Sequence, residues 1–313
     1  MECISQKTSF QIPEETVVTI GKFDGKHRGH QKLLGIMAAV KAAQGLKMAV
    51  FTFDMPPQAR VSGREQEQIT TAAERRAQMA AAGVDYLVEY PFTVEVMHYP
   101  AEDFLKDILI GCMHARAIVV GTDCAFGYQR SGNADLLRKL ADVYGYQLTV
   151  VEKEQEDSRD ISSSYIKELL RLGKVEKAAE LMGHPYTISG RVVHGNHLGG
   201  PVLGFPTANL DPPEGKLLPP FGVYVTQTLV NGRWYGSMTN IGRKPTVGED
   251  YPAGVETTIF GLRENLYGKE IEVRFLHYER SEMRFDSLEE LKAQLKKDCE
   301  YASAYLDSRK DLC

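Results

Sequence analysis

The texture of the chain changes once, near residue 185, and this limits it to two differently built halves. Before that point, short β-branched and apolar runs at residues 17–20, 48–53, 117–121 and 148–151 alternate with segments of helical periodicity. Leu33, Met37 and Val40 mark the first helix, and residues 72–82, 101–110 and 133–144 the next three. Near-continuous apolar strands separated by helices predict a parallel sheet covered on both faces. Ligands of such sheets bind beyond the carboxyl ends of the strands. After residue 185, strands follow strands. Residues 222–230 and 234–241 flank Asn231-Gly232, two residues that tolerate the positive φ of a tight hairpin. Ile271, Val273 and Phe275 alternate with Glu270, Glu272 and Arg274, the period of a strand with one buried face. The second half therefore reads as a small antiparallel β-barrel. A terminal helix opens at Ser287, with Glu290 placed for a capping box. Leu288, Leu291, Leu295, Ala302 and Leu306 form the stripe expected to pack on the barrel. Residues 162–183 read as two short helices broken at Gly173, and Gly183-His184-Pro185 as the junction. The expected domains are 1–184 and 185–313.

The bulk properties narrow the function classes. A length of 313 residues suits two domains, and 43% hydrophobic with 25% charged residues is ordinary globular composition. The net charge of −5 argues against a nucleic-acid partner, which calls for a basic excess. No apolar run approaches the roughly 20 residues of a membrane helix. The opening Met1-Glu2-Cys3-Ile4-Ser5 lacks the layout of a secretory signal. Cys3, Cys112, Cys124, Cys299 and Cys313 show neither zinc-ligand spacing nor a disulfide framework, so a reduced cytoplasmic compartment is expected.

Two constellations carry chemistry. The first, Gly21-Lys22-Phe23-Asp24-Gly25-Lys26-His27-Arg28-Gly29-His30, lies between the first strand and the first helix. Its glycines free the backbone for close ligand approach, and helix N-terminal amides attract anions. Two imidazoles there can hydrogen-bond the phosphates of a nucleotide. The second is the glycine-dense run Gly195, Gly199, Gly200 and Gly204, leading into Phe205-Pro206-Thr207-Ala208-Asn209. Such a loop can wrap a phosphate and place the oxygens of Thr207 and Asn209 on a hard cation such as Mg²⁺.

With these residues the first half resembles the HxGH nucleotidylyltransferases, and the whole chain resembles the bacterial bifunctional riboflavin kinase/FAD synthetases. Glu74-Arg75 ahead of Gly83-Val84-Asp85, Gly121-Thr122-Asp123-Cys124-Ala125-Phe126-Gly127 with Arg130 and Gly132, and Ile161-Ser162-Ser163-Ser164-Tyr165-Ile166-Lys167 match further motifs of the first half. Asn240-Ile241-Gly242-Arg243-Lys244-Pro245-Thr246, Val255-Glu256-Thr257 and Leu266-Tyr267-Gly268-Lys269 match motifs of the kinase half. The resemblance implies a Rossmann-like nucleotidylyltransferase domain followed by a small barrel with a terminal helix. It implies phosphorylation of riboflavin to FMN with ATP, then adenylylation of FMN to FAD with release of pyrophosphate. His27, His30 and Glu256 are the implied catalytic groups, with Glu256 as base for the riboflavin hydroxyl. Gly21, Phe23, Asp24, Gly25, Asp123, Arg130, Ser162, Ser163, Ser164, Lys167, Gly195, Gly199, Gly204 and Pro206 are the implied nucleotide and phosphate contacts. Thr207 and Asn209 are the implied Mg²⁺ ligands. The implied partners are small molecules: riboflavin, FMN and ATP.

The chain departs from the family pattern in places. Asp54-Met55-Pro56-Pro57 lacks the family's histidine, Lys167 stands where arginine is usual, and Cys124 stands where an aromatic is usual. Gly200-Pro201 replaces a basic residue after the loop glycine, and Thr258 stands where histidine is frequent. Two alternatives stay open on the sequence: a riboflavin kinase with a weakened first half, and a flavin-sensing or RNA-binding regulator built from the same domains.

Overall fold

The computed structural model describes residues 1–55, 67–194, 207–242 and 254–309. Its packing divides the chain into two compact units, Met1–Ser163 and Ser164–Cys313.

The first unit is a six-stranded parallel sheet between helices. In chain order it contains β1 (Glu2–Ser5), β2 (Thr16–Ile20), α1 (Arg28–Gln44), β3 (Lys47–Phe53), α2 (Ala72–Ala81), β4 (Tyr86–Tyr90), α3 (Phe104–Cys112), β5 (Ala115–Gly121), α4 (Ala134–Tyr144) and β6 (Gln147–Val151). The strand order is β1-β4-β3-β2-β5-β6. Successive residues of a strand point to opposite faces. Val17, Val50, Leu87 and Val119 therefore meet Met37 of α1 and Met79 of α2 on one side. Val18, Phe51, Val88 and Ile118 meet Leu105 and Ile108 of α3 and Leu137 of α4 on the other. Both faces are covered, as near-continuous apolar strands predict. A two-stranded hairpin, β7 (Gln155–Glu156) and β8 (Arg159–Asp160), follows β6.

Three features differ from the sequence reading. β4 was hidden by Glu89, which is 2% exposed and ion-paired with Arg75 and Arg76. A paired carboxylate thus occupies a position that pattern reading reserves for an apolar side chain. β1 is a short polar edge strand beside β4. The helix expected at 101–110 runs as one α-turn, Ala101–Asp103, and then as the π-wound α3.

The second unit opens with α5 (Ser163–Arg171) and α6 (Val175–Met182), separated at Gly173 with φ +71°. It continues with β9 (Tyr186–Val193), β10 (Thr207–Asp211), β11 (Gly222–Val230), β12 (Arg233–Gly242), β13 (Gly254–Ile259), β14 (Glu270–Arg280) and α7 (Leu288–Ser308). The six strands close a barrel in the order β10-β13-β12-β11-β14-β9. Asn231 (φ 49°) and Gly232 (φ 80°) make the β11–β12 turn at the predicted place. On the outer face, Leu295, Cys299, Ala302, Tyr305 and Leu306 of α7 cover Val223, Val225 and Met238. Asp298, fully buried, accepts hydrogen bonds from Arg280 Nε (3.0 Å) and Gln294 (2.7 Å) and so fixes α7 to β14. Leu288 does not belong to this face: it is 58% exposed, because the contact stripe starts two turns further along.

The barrel interior holds a line of five hydroxyls, all fully buried: Thr226, Thr228, Ser237, Thr239 and Thr257. Thr239 donates to Thr257 (2.9 Å), which donates to the carbonyl of Met238 (3.3 Å). Each hydroxyl has one hydrogen. Thr226 must then donate to Thr239, Ser237 to Thr226 and Thr228 to Ser237, each over 2.8 Å. The line runs one way, and every donor is satisfied. Thr226→Val leaves the Ser237 hydrogen buried without an acceptor, a loss of about 1–3 kcal/mol. Thr228→Val removes only the head donor and should cost less. Denaturant unfolding followed by the single tryptophan, Trp234 on β12, measures both variants. Equal losses would refute the direction of the line.

Candidate active sites

The first site lies at the carboxyl end of β2. Residues 21–27 turn from β2 into α1, and three of them have left-handed backbone: Phe23 (φ 49°), Gly25 (φ 88°) and Lys26 (φ 34°). A Cβ on Gly25 would also stand 2.9 Å from Ile69 Cδ1, so glycine is required there on both counts. Asp24 braces the turn. Its Oδ1 accepts the backbone N–H of Ile69 (2.8 Å) and Thr70 (2.9 Å), and its carbonyl accepts the Ser163 hydroxyl (2.7 Å). Thr70 Oγ1 in turn accepts the N–H of Gly25 (3.1 Å).

This brace sets the histidines. His27 is the N-cap of α1, its Nδ1 accepting the backbone N–H of His30 at 3.4 Å. A neutral ring that accepts at Nδ1 carries its proton on Nε2. The rings of His27 and His30 stack at 3.7 Å, with Phe23 4.9 Å from His30. Burial pushes the His27 pKa down to about 4, against a smaller opposing pull from Asp123 and Asp24. Burial, and then the neighbouring His27, hold His30 well below the usual range. Both rings are neutral at physiological pH. His30 Nδ1 is buried with no hydrogen-bond partner among the described residues. The pair can therefore donate hydrogen bonds to phosphate oxygens but adds no positive charge.

The loop after β5 supplies the second wall. Gln129 (φ 51°) and Arg130 (φ 59°) are left-handed, and the Cβ of any side chain at Gly127 would lie 2.6 Å from Ala101 Cα. Such strain collects where a loop is held for function. Arg130 is exposed, and Asp123 is close enough to influence His27. Lys153, unremarkable in the sequence, pairs with Asp123 at 3.2 Å. Cys124 carries no thiolate, because burial pushes its pKa up to about 12. Gly21 follows β2 and donates its N–H to Phe51, and half-buried Ser162 precedes Ser163. Ser164 and Lys167 lie on α5 and sort with the second unit. Thr70 and Lys153 are the contributors that sequence reading missed, since neither belongs to a motif.

The second site lies on the outer face of the barrel, across β10, β13 and β12. Asn209 and Asn240 stand opposite Glu256 on its two neighbouring strands. The Thr207 hydroxyl donates to Glu256 Oε1 at 2.6 Å. Beside them a cavity of about 270 Å³ is lined by Val192, Thr207, Ile259, Leu262, Leu266 and Tyr267. His194 stacks on Tyr267 at 3.9 Å, so the wall is aromatic and flat. Gly195, Gly199, Gly204 and Pro206 lie outside the described residues, as do Pro56 and Pro57. Thr207, Asn209 and Glu256 offer only oxygen donors. That is the chemistry of a Mg²⁺ site completed by substrate phosphates. Among the described residues no three His, Cys, Asp or Glu side chains cluster to hold a metal alone.

Comparison with known proteins agrees with this division. The FAD synthetase family profile matches residues 9–165, and the riboflavin kinase profile matches residues 182–306. A bifunctional riboflavin kinase/FMN adenylyltransferase of Listeria monocytogenes is 34% identical over 297 residues, covering 94% of each chain. The protein of the same description from Bacillus subtilis is 35% identical, covering 94% of this chain and 93% of its own. Among solved structures, one described as a macrolide-efflux protein from Streptococcus pneumoniae superposes with a TM-score of 0.86 at 30% identity, covering 96% of this chain and 98% of its own.

The buried histidines tie folding to pH. His27 titrates near 4 when folded and near 6.5 when unfolded, so the unfolded chain takes up the proton first. Stability should fall as pH drops from about 6.5 towards 4, with His27 accounting for a loss on the order of 3 kcal/mol and His30 adding to the fall in the same direction. Calorimetric melting of the full chain between pH 7 and 4 should show the decline, and His27→Gln should flatten it. An equal decline in wild type and variant would contradict the assignment.

Proposed function

The chain belongs to the bifunctional riboflavin kinase/FMN adenylyltransferase family, and from that premise we propose how its residues divide two successive reactions. The chain phosphorylates riboflavin to FMN with ATP and adenylylates FMN to FAD. The catalytic domains are taken as 1–184 and 185–313, a boundary close to the start of the riboflavin kinase match at residue 182. One observation carries the assignment of roles: in one unit a neutral His27 caps α1 with His30 stacked on it, while in the other Glu256 is hydrogen-bonded to Thr207 beside a cleft lined by Ile259, Leu262, Leu266 and Tyr267 together with Glu264 and Asn265.

On the barrel, the primary hydroxyl of riboflavin is a neutral, weak nucleophile and needs a base. Glu256 accepts its proton as the γ-phosphoryl group of ATP transfers. The Thr207 hydrogen bond holds one oxygen of that carboxylate and leaves the other for the substrate. The cleft against Tyr267, Leu262 and Ile259 receives a planar ring of a substrate. Thr207 and Asn209 would hold Mg²⁺, which when bound neutralises charge on the ATP phosphates.

The sheet domain needs no base, because the phosphate of FMN is already an anion. It attacks the α-phosphorus of ATP, and pyrophosphate leaves. His27 Nε2–H and His30 donate to the phosphates, and the amides at the start of α1 favour the negative charge. Arg130, Asp123, Ser162, Ser163, Ser164 and Lys167 are assigned to the nucleotide side of this site. The changes at Met55 and Lys167 leave the histidine pair and its brace intact, which favours two live activities over a kinase alone. No helix among the described residues is long and apolar enough to cross a membrane. The reading places the enzyme in the cytoplasm, with small-molecule substrates and no nucleic-acid partner.

Two substitutions separate the sites. Glu256→Ala should lower FMN formation from riboflavin by about 10²-fold or more while sparing FAD formation from supplied FMN. His30→Ala should do the reverse. Chromatography of riboflavin, FMN and FAD over time, with ATP and Mg²⁺, reads both. If either change depresses both reactions equally in a folded protein, the two-site assignment fails.

A further inference from the structure

Two neutral histidines add no positive charge, so the charge balance around the first site is set by the groups at its rim. Arg28 and Lys32 are engaged with Glu154 and Glu156. Lys153 is placed differently. It lies two residues beyond β6, at the carboxyl edge of the sheet, where the N–H of Thr122 donates to Val151 (3.2 Å) and sets the loop after β5 alongside. Its Nζ stands 3.2 Å from Asp123 and 3.0 Å from Asp160. Gln155 holds the other oxygen of Asp160 at 2.8 Å. Asp160 closes the β7–β8 hairpin, and the chain then runs through Ile161 and Ser162 to Ser163, which is bonded to Asp24. One ammonium group thus joins the loop after β5 to the serine loop, at the site where ATP must enter. Its hydrogen bonds to Asp160 and Asp123 push its pKa up, so it is charged throughout the neutral range.

We propose that Lys153 is a positioning residue for the triphosphate of ATP in FMN adenylylation, acting through Asp123 and Asp160. The inference rests on the adenylyltransferase reading of the first site. Without the lysine, two carboxylates face each other across the entrance, repel one another and repel the incoming nucleotide. The bridge is no fold determinant: the three side chains are 32%, 68% and 41% exposed, and bridges so placed add little to stability.

The test compares the full-length wild type with Lys153→Met, Lys153→Arg and Lys153→Met/Asp160→Asn, using FMN, ATP and Mg²⁺ as substrates and following FAD. Lys153→Met should raise KM for ATP about tenfold while kcat stays within about threefold. Lys153→Arg should restore most of the loss, and Asp160→Asn should recover part of it by removing one of the opposed charges. Riboflavin phosphorylation by the same proteins should be unchanged, and a kcat for FAD formation close to wild type shows that the sheet unit is folded. An unaltered KM for ATP, a fall in kcat alone, or an arginine variant as impaired as the methionine variant would overturn the inference while leaving the reading in place. A wild-type chain that makes FMN but no FAD from it overturns the reading and the inference together.

Discussion

The carboxylate of Asp24 is the interaction on which the first site rests. Left-handed backbone at non-glycine residues such as Phe23 and Lys26 costs on the order of 1–3 kcal/mol each. Hydrogen bonds from the amides of Ile69 and Thr70 to a charged, buried acceptor offset this at about 1.5–3 kcal/mol each. The strained turn therefore persists only while the segment before α2 stays docked against it. Its strain delivers His27 to the cap of α1 with His30 stacked against it. Asp24 thus works as a brace, through backbone groups.

The two sites solve different electrostatic problems. Under the proposed roles, the nucleophile on the barrel must lose a proton, and the carboxylate of Glu256, held by the Thr207 hydroxyl, is the group assigned to take it. On the sheet the nucleophile arrives charged, so the need is for hydrogen-bond donors and balanced charge. Buried imidazoles kept neutral by desolvation meet the first need and leave the second to groups at the rim. This division explains why a histidine pair and a lone glutamate serve within one chain without being interchangeable.

The sheet, the barrel, the hairpin at Asn231-Gly232 and the break at Gly173 were all legible in the sequence, because each is written in local periodicity or turn chemistry. β4 was not, because Glu89 is ion-paired with arginines from α2, and that pairing exists only in three dimensions. The π-wound α3 has the same apolar spacing as an α-helix and leaves no distinct mark. Leu288 fits the helical stripe, but the stripe outruns the surface it covers. His27, His30, Thr207, Asn209 and Glu256 were legible as motif members, and the structure brings Thr207 and Glu256 into contact. Lys153 and Thr70 were not, since a lysine after a strand and a threonine before a helix are commonplace until their partners are known.

The one-way line of hydroxyls gives the barrel a property that composition alone does not convey. Five O–H bonds linked donor to acceptor in a buried interior polarise one another. Four of their hydrogens lead stepwise from Thr228 on β11 to Thr257 on β13, and the fifth returns to the Met238 carbonyl on β12. The network therefore has a sense, starting at the Thr228 hydroxyl and ending on the Met238 carbonyl of β12, beside the strand that carries Glu256 on its other face.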